Sequence, residues 1–255
     1  SVDNIGRFLR LHDIPGGEKE QKFLDTVFAS ERDEKIKRLY EKPLDEFKII
    51  ENSPMSYWAP LELRQIYQSD IIFSSERSER EIEGLGAVRQ GLATGDNDRF
   101  LSYFWEVDYD IWTPLAKGGK DAWALPKVRN MILWGENGRE IRTYPGGNGT
   151  PSEGYYFNGG LTYTYMKESG KRFGYLHSES IFSRAGMVFI PDWDIMDVLG
   201  YANTHLITYL MACQDPGRHW EAGNVSKLPW YPELVDDKRI NSATEKIVGL
   251  VLSRR

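Results

Sequence analysis

The sequence predicts an α+β protein in which an N-terminal helical connector is followed by a β-rich domain with helices packed on it. Apolar residues recur at three- and four-residue spacings near the N-terminus and again after residue 192, which is the period of a helix. Between these stretches the chain changes to short runs of β-branched and aromatic residues broken by Gly, Asn and Pro, the texture of antiparallel strands and hairpins. With 255 residues, 40% hydrophobic and 27% charged, the chain is long enough for one large or two modest cores.

From Gly17 to Lys42, Phe23, Leu24, Val27, Phe28, Ile36, Leu39 and Tyr40 predict one or two amphipathic helices, and Pro43 ends the stretch. Phe47 to Ile50 reads as a short strand, and Leu61 to Gln68 reads as a helix after Pro54 and Pro60. A boundary is placed near Glu83-Gly84. Beyond it, strands are expected at Leu101–Val107, Met131–Trp134, Arg139–Tyr144, Tyr155–Phe157, Thr162–Met166, Phe173–His177 and Met187–Ile190. Glu136-Asn137-Gly138 reads as the hairpin turn between two of these. The run Pro145 to Pro151 reads as a flexible loop, because its glycines and prolines cannot continue a strand. Asp192 to Met211 is expected to be helical, as one helix or two joined near Gly200, with Asp192 or Asp194 as cap. Gly223, Pro229 and Pro232 mark a loop, and a last helix runs from Ser242 to Leu252, capped by Asn241 or Ser242.

Composition excludes several classes. The mean hydropathy of -0.52 and the short apolar runs leave no candidate for a bilayer-spanning helix. The N-terminus lacks both a secretory leader pattern and an initiator Met, which predicts a piece of a longer gene product. The single cysteine, Cys213, cannot form an intramolecular disulfide and suits a reducing cytoplasm; within its apolar run it reads as a small buried hydrophobe. No Cys/His spacing suits zinc, so no metal is expected.

The net charge of -6 is unevenly distributed. Residues 1–110 hold 15 Lys+Arg against 23 Asp+Glu, residues 111–184 hold 10 against 6, and residues 185–255 hold 7 against 9. The basic middle segment interleaves its cations with Trp and Tyr, a composition that suits nucleic-acid backbones and equally an ordinary solvated β-surface.

No dinucleotide fingerprint, P-loop, nucleophile elbow or zinc-protease motif is present. His177 beside Ser178-Glu179-Ser180 is the histidine with the most plausible neighbours for catalysis. The carboxylate pairs Asp108/Asp110 and Asp192/Asp194, near aromatic residues, admit a carbohydrate-binding or hydrolytic reading.

One segment is more specific. Val88-Arg89-Gln90-Gly91-Leu92-Ala93-Thr94-Gly95-Asp96-Asn97-Asp98-Arg99-Phe100, followed by Trp105-Glu106-Val107, contains the pattern G-L-x-T-G-x-N-x-x-F. It resembles the opening of the target-recognition domain in adenine-specific DNA methyltransferases of the BREX phage-defence type and in fused type IIG restriction-modification enzymes. Ser53-Pro54-Met55-Ser56-Tyr57-Trp58 resembles that family's P-x-x-Y-W element, with Asn52 where the family often has glycine. Lys117-Gly118-Gly119-Lys120 with Trp123, Gly160 to Thr164, Phe182 to Gly186, Gly200 to Thr204 and Gly223 to Pro229 resemble its later blocks, in the same order. The family's catalytic N-P-P-Y or D-P-P-F motif, which holds the flipped adenine, and its cofactor-binding glycine motif are absent.

The resemblance implies a division into residues 1–84, a helical connector or the tail of the methyltransferase domain; 85–240, the target-recognition domain; and 241–255, a C-terminal helix leading onward. It implies double-stranded DNA and the parent's own methyltransferase domain as partners, other defence-system subunits as further ones, and S-adenosylmethionine bound outside this stretch. By itself the chain is expected to be inactive. Candidates for phosphate contact are Lys117, Lys120, Lys127, Arg129, Lys167 and Lys227; candidates for reading base edges are Arg89, Gln90, Asn97, Arg99, Thr164 and Arg184, with Thr94 from the motif. Thr94 and Asn97 have an alternative role as hydrogen-bonding caps of the turn. A rival reading is a protein-interaction module whose Trp- and Tyr-rich surface docks a partner of the same defence complex without reading DNA.

Overall fold

The computed structural model describes residues 4–31, 37–118, 124–166, 173–215, 217, 219–235 and 238–253. The chain divides into two compact units, Ser1–Gln68 and Ser69–Arg255. The architecture is mixed α+β.

In the first unit, β1 (Ile5–Leu9) and β2 (Leu39–Pro43) pair antiparallel, with Ile5 opposite Pro43 and Leu9 opposite Leu39, and α1 (Lys19–Glu31) lies between them in sequence. Side chains alternate across a ribbon, so Phe8 and Tyr40 share one face. Phe8 stacks on Tyr57 at 4.9 Å and meets Phe47 edge-on at 5.4 Å, while Tyr40 lies 5.5 Å from Tyr57. The short helix α2 (Leu61–Gln65) supplies Arg64, whose side chain is fully buried. Arg64 pairs with the Glu46 carboxylate, donates to the Glu46 carbonyl at 3.2 Å, and sits over the Phe47 ring. A buried cation persists when it is paired and hydrogen-bonded, as here.

Two expectations are corrected in this unit. Leu39 and Tyr40 belong to β2 and not to a helix; α1 is described over Lys19–Glu31, and Ile36 lies outside the described residues. Phe47 to Ile50 is not a strand, because Leu44–Ile49 forms a 3-10 turn. Phe47 and Ile50 are both buried, and a strand would put residues three apart on opposite faces whereas a 3-10 turn puts them on one. The helix expected over 61–68 is present as α2 followed by a 3-10 turn.

The second unit begins with β3 (Ile71–Ile72), β4 (Glu83–Gly84), β5 (Gly86–Arg89), α3 (Asn97–Phe100), β6 (Leu101–Tyr103), β7 (Trp112–Ala116), β8 (Asn130–Leu133) and α4 (Gly135–Thr143). It continues with β9 (Gly160–Thr164), β10 (Phe173–Leu176), β11 (Ile181–Phe182), β12 (Gly186–Pro191), α5 (Ile195–Ala202), α6 (His205–Gln214), α7 (Ala222–Ser226), β13 (Pro229–Trp230) and α8 (Arg239–Leu252). One four-stranded sheet runs β10-β9-β12-β5, wholly antiparallel; a second runs β11-β7-β8-β6, with β11 parallel to β7. A small sheet runs β13-β3-β4.

The chain passes between the two larger sheets at Ser183–Ala185, where β11 gives way to β12. On the other side of this seam the chain leaving β5 reaches Leu92, which bridges Ser183 in parallel. Beneath it lies a core of Leu92, Phe100, Leu115, Ile132, Ile141 and Phe182 with their neighbours. A second cluster stacks Phe73 on Phe189 at 4.4 Å and sets Tyr201 against Trp230 at 4.8 Å.

Several strand expectations hold with bounds moved by one or two residues, and others fail for local reasons. The strand expected over 101–107 stops at Tyr103, because the Glu106 carboxylate accepts from the Tyr103 N–H (2.9 Å) and the Ser102 hydroxyl (2.8 Å) and folds the chain back. Arg139 to Thr143 is helical, within α4, and Tyr144 is its extended C-cap: Glu136, Asn137 and Gly138 all take left-handed backbone, and the turn they make feeds a helix rather than a hairpin. Tyr155 to Phe157 is not a strand; Glu153–Tyr155 forms a 3-10 turn between left-handed Ser152 and Phe157.

The two helices of 192–211 part at Asn203-Thr204, not at Gly200. The Asn203 amide donates to Phe173 O and Leu199 O at 2.9 Å each, tying the end of α5 to β10, and Thr204 then caps α6. Gly200 is needed for packing, since a Cβ there would lie 2.3 Å from Thr244 Oγ1 of α8. Asp194, not Asp192, caps α5 through the N–H groups of Met196 and Asp197. The last helix starts at Arg239, with neither Asn241 nor Ser242 as cap; Asn241 instead donates to Asp194 at 3.0 Å. Among the described residues no helix is long and apolar enough to cross a membrane.

Candidate functional site

The motif 91–100 is built by close backbone approaches. A Cβ at Gly91 would stand 1.9 Å from the Phe182 carbonyl oxygen, so no larger residue fits where β5 crosses toward β11. Leu92 is buried, its N–H donates to Phe182 O (3.3 Å), and its carbonyl accepts from Arg184 N–H (2.8 Å). Gly95 takes φ +75° and lies against the Gly146 backbone, so side chains are excluded there by conformation and by space. Phe100, 0% exposed, pins the motif's end into the core.

The loop 145–151 clamps this segment from outside: Asn148 accepts from Ala93 N–H through its side chain (2.6 Å) and donates to Ala93 O through its backbone (3.2 Å). The run expected to be a flexible loop thus braces the segment that lines the site. Asp96 caps the short helix α3 by accepting from Arg99 N–H, and the Thr94 hydroxyl donates to Asn97 Oδ1 at 2.7 Å.

These approaches leave a cleft of about 320 Å³ along the seam between the two larger sheets. It is lined by Leu92–Gly95 and Asn97 on one side, Leu101 and Leu115 at the base, and Lys117 with Ser183–Ala185 on the other. Four residues chosen from sequence, Thr94, Asn97, Lys117 and Arg184, therefore meet in one place. Lys117 is half-buried, and burial pushes its ammonium below the usual lysine range. Arg184 is exposed at the rim. Among the described residues the lining contains two cations and no carboxylate, which suits anionic or hydrogen-bond-accepting groups.

The remaining candidates lie elsewhere. Arg89, at the end of β5, is engaged inside the fold: it pairs with Glu76, donates to the Tyr155 hydroxyl and to Val88 O (3.2 Å), and stands 4.1 Å over the Tyr155 ring. Its neighbour Gln90 is half-buried, and the Gln90 carbonyl accepts from Ser152 Oγ at 3.0 Å. Arg99 is exposed and paired with Glu140 at 3.2 Å. Thr164 is buried at the end of β9. Lys127 and Arg129 are exposed on the approach to β8, and Lys227 is half-buried at the end of α7; none of the three lines the cleft. Lys120, Lys167 and Trp123 lie outside the described residues.

Ser183 is a cleft residue that the candidate set lacks: it is buried, and its hydroxyl accepts from Gly186 N–H at 3.2 Å. Its position between Phe182 and Arg184 in a recognised block was the available signal. His177 is exposed with Glu179 3.9 Å away, and the adjacent Ser180 is buried. Asp192 and Asp194 are exposed, and Asp194 spends its Oδ1 on capping. Cys213 is buried in α6.

No family model matches the chain. It is 25% identical over 199 residues to the adenine-specific methyltransferase BrxX of Escherichia coli O9:H4 (strain HS), an alignment covering 72% of this chain and 16% of that protein. It is 25% identical over 155 residues to the adenine-specific methyltransferase PglX of Lacticaseibacillus casei (strain Zhang), covering 54% of this chain and 12% of that protein. The chain thus spans about a sixth or less of the curated relatives it matches. By sequence, the chain is similar to a part of each of these two adenine-specific methyltransferases.

Proposed function

We propose that residues 85–240 are the DNA target-recognition portion of a bacterial adenine-N6 methyltransferase acting in phage defence or restriction-modification. The observation that carries this reading is the convergence of Thr94, Asn97, Lys117 and Arg184 on one seam cleft that has no carboxylate among its described residues. Lys117 contributes a point charge suited to a phosphate, and Arg184, at the rim, offers the planar fork that matches guanine O6 and N7 in the major groove. With Asn97 Oδ1 occupied by Thr94, the Asn97 amide nitrogen is left as a donor toward a base or phosphate oxygen. Arg89, Gln90 and Thr164 support the frame from behind, and Arg99, Lys127, Arg129, Lys227, Lys120 and Lys167 supply weaker contacts along the backbone.

The cleft does not suit S-adenosylmethionine. That donor is a sulfonium cation with ribose hydroxyls that want a carboxylate partner, and the lining offers Lys117 and Arg184 instead. The methyl donor and the flipped adenine belong to the parent enzyme's catalytic domain, and no step of the chemistry is assigned to this chain.

An electrophoretic shift of the chain on mixed-sequence duplex tests the reading. Binding is expected to weaken steeply with salt, and Lys117→Gln and Arg184→Gln are each expected to lower the slope of log affinity against log salt by about 1. Salt-independent binding, or both variants behaving as wild type, overturns it.

A second reading applies to a different face. Tyr103, Phe104, Trp105, Tyr109 and Ile111 are all exposed, with Tyr103 stacked on Trp105 at 4.6 Å, and Glu106, Asp108 and Asp110 stand among them. Those carboxylates repel phosphates, so this surface favours docking of a protein partner of the parent enzyme. Trp105→Ala is expected to leave DNA retention intact; loss of retention assigns the surface to DNA instead.

A further inference from the structure

The first unit, whose sequence stretch is acidic overall, concentrates cations at one end of its ribbon. Arg10 follows β1 and Arg38 precedes β2, and the Arg10 N–H donates to Arg38 O at 3.0 Å, so the pairing continues one step past the strands. By alternation they fall on the same face as Phe8 and Tyr40: that face is apolar where it covers Tyr57 and Phe47 and cationic where it runs out. Arg10, His12, Lys37, Arg38 and Tyr40 line a cleft of about 480 Å³, in which Asp13 is the sole carboxylate among the described residues. Asp13 reaches Arg38 at 3.6 Å, and among the described residues of the cleft no other carboxylate faces Arg10 and Lys37. The Arg10 guanidinium is held over the Trp58 ring at 4.9 Å, which orients it without neutralising it.

We propose that this cleft is a phosphate-binding site of the Ser1–Gln68 unit, with Arg10 and Arg38 as the guanidinium pair, Lys37 as the point charge and Tyr40 as a hydroxyl donor. Two guanidinium groups at the end of one ribbon face, with an ammonium beside them, match the donors a tetrahedral dianion or a phosphodiester accepts. The phosphate comes either from a duplex backbone, a source that rests on the recognition reading above, or from a free phosphate compound, which does not.

The test uses the whole chain with inorganic phosphate and with mixed-sequence duplex as separate probes, and with chloride at matched ionic strength as control. A phosphate that draws Arg10 off the indole changes the emission of Trp58, a signal assigned by difference from Trp58→Phe. Both probes are expected to move that signal, and Arg10→Gln/Arg38→Gln to abolish both responses while Arg10→Lys/Arg38→Lys keeps most of them. The glutamine pair is also expected to lower the salt slope of duplex binding by about 1 to 2. A response to phosphate without one to duplex assigns the site to free phosphate and removes the DNA source. Duplex binding with an unchanged slope in the glutamine pair, together with no response to phosphate, overturns the site and leaves the seam-cleft reading standing. Failure of Lys117→Gln and Arg184→Gln to alter duplex binding, with the Trp58 response intact, does the reverse.

Discussion

At residue 95 a left-handed backbone and a backbone neighbour coincide, so Gly95→Ala meets both a conformational penalty and a collision with Gly146. A stability loss of about 2 kcal/mol or more is expected in denaturant titration, with the 145–151 loop loosened from Ala93. Position 52 shows the complementary case. The family resemblance anticipates glycine there, the backbone is left-handed at φ +68°, and Asn is the residue other than glycine that tolerates this best. Glu76 gives a pH-dependent term: the hydrogen bond from Arg89, with its charge, holds the Glu76 carboxyl below the usual range despite some desolvation. A carboxylate lowered by folding contributes stability above its unfolded value and loses it as pH falls through the lowered one. The difference in Tm between wild type and Glu76→Gln is therefore expected to be present at neutral pH and to close under acid conditions, and a pH-independent difference refutes the role assigned to the pair.

Among elements, α5 depends on Asp194, which accepts from two otherwise unpaired N–H groups and is itself bonded by Asn241. Asp194→Ala is expected to cost about 1 kcal/mol by thermal or denaturant melting, the usual value of a lost side-chain cap. In the first unit, Glu46→Ala leaves Arg64 buried and unpaired, and a loss of about 3 kcal/mol is expected, whereas replacing both by apolar residues costs less. Elements with a long, unbroken period were legible from sequence, as α5, α6 and α8 show. Those set by contacts were not. Asn137-Gly138 has the composition of a hairpin turn, yet three consecutive left-handed residues starting at Glu136 lie within α4, with Gly138 packed against the Trp134 ring, a contact that the turn composition does not announce. The bend after Tyr103 likewise depends on where the Glu106 carboxylate lands.

At the scale of the whole molecule, charge and chemistry are separated by face rather than by segment. The basic middle stretch of the sequence pointed toward Lys117 and Arg184, but it could not show that Thr94 and Asn97, some twenty to ninety residues away, line the same cleft. The motif carried that part, and its meaning is visible only in three dimensions: Gly91, Gly95 and Phe100 shape the backbone, and Thr94 and Asn97 face the space they create. Arg89 shows the limit, since its place in the same motif gives no hint that Glu76 and Tyr155 engage it. The Arg10 and Arg38 cleft was hidden because the cations come from two strands within an acidic stretch.

The seam between the sheets has one more implication. Its walls are fixed by main chain against main chain, at Gly91 with Phe182 and at Gly95 with Gly146, while Ala93, Arg184 and Ala185 project from that frame. Exchanges at the exposed Arg184 and Ala185 should therefore be nearly silent in stability, within about 0.5 kcal/mol, as is usual for surface positions. Such a scaffold behaves like a type-holder: the frame stays cast while the characters set in it are changed, so the surface the cleft presents can be revised without the chain having to learn again how to fold.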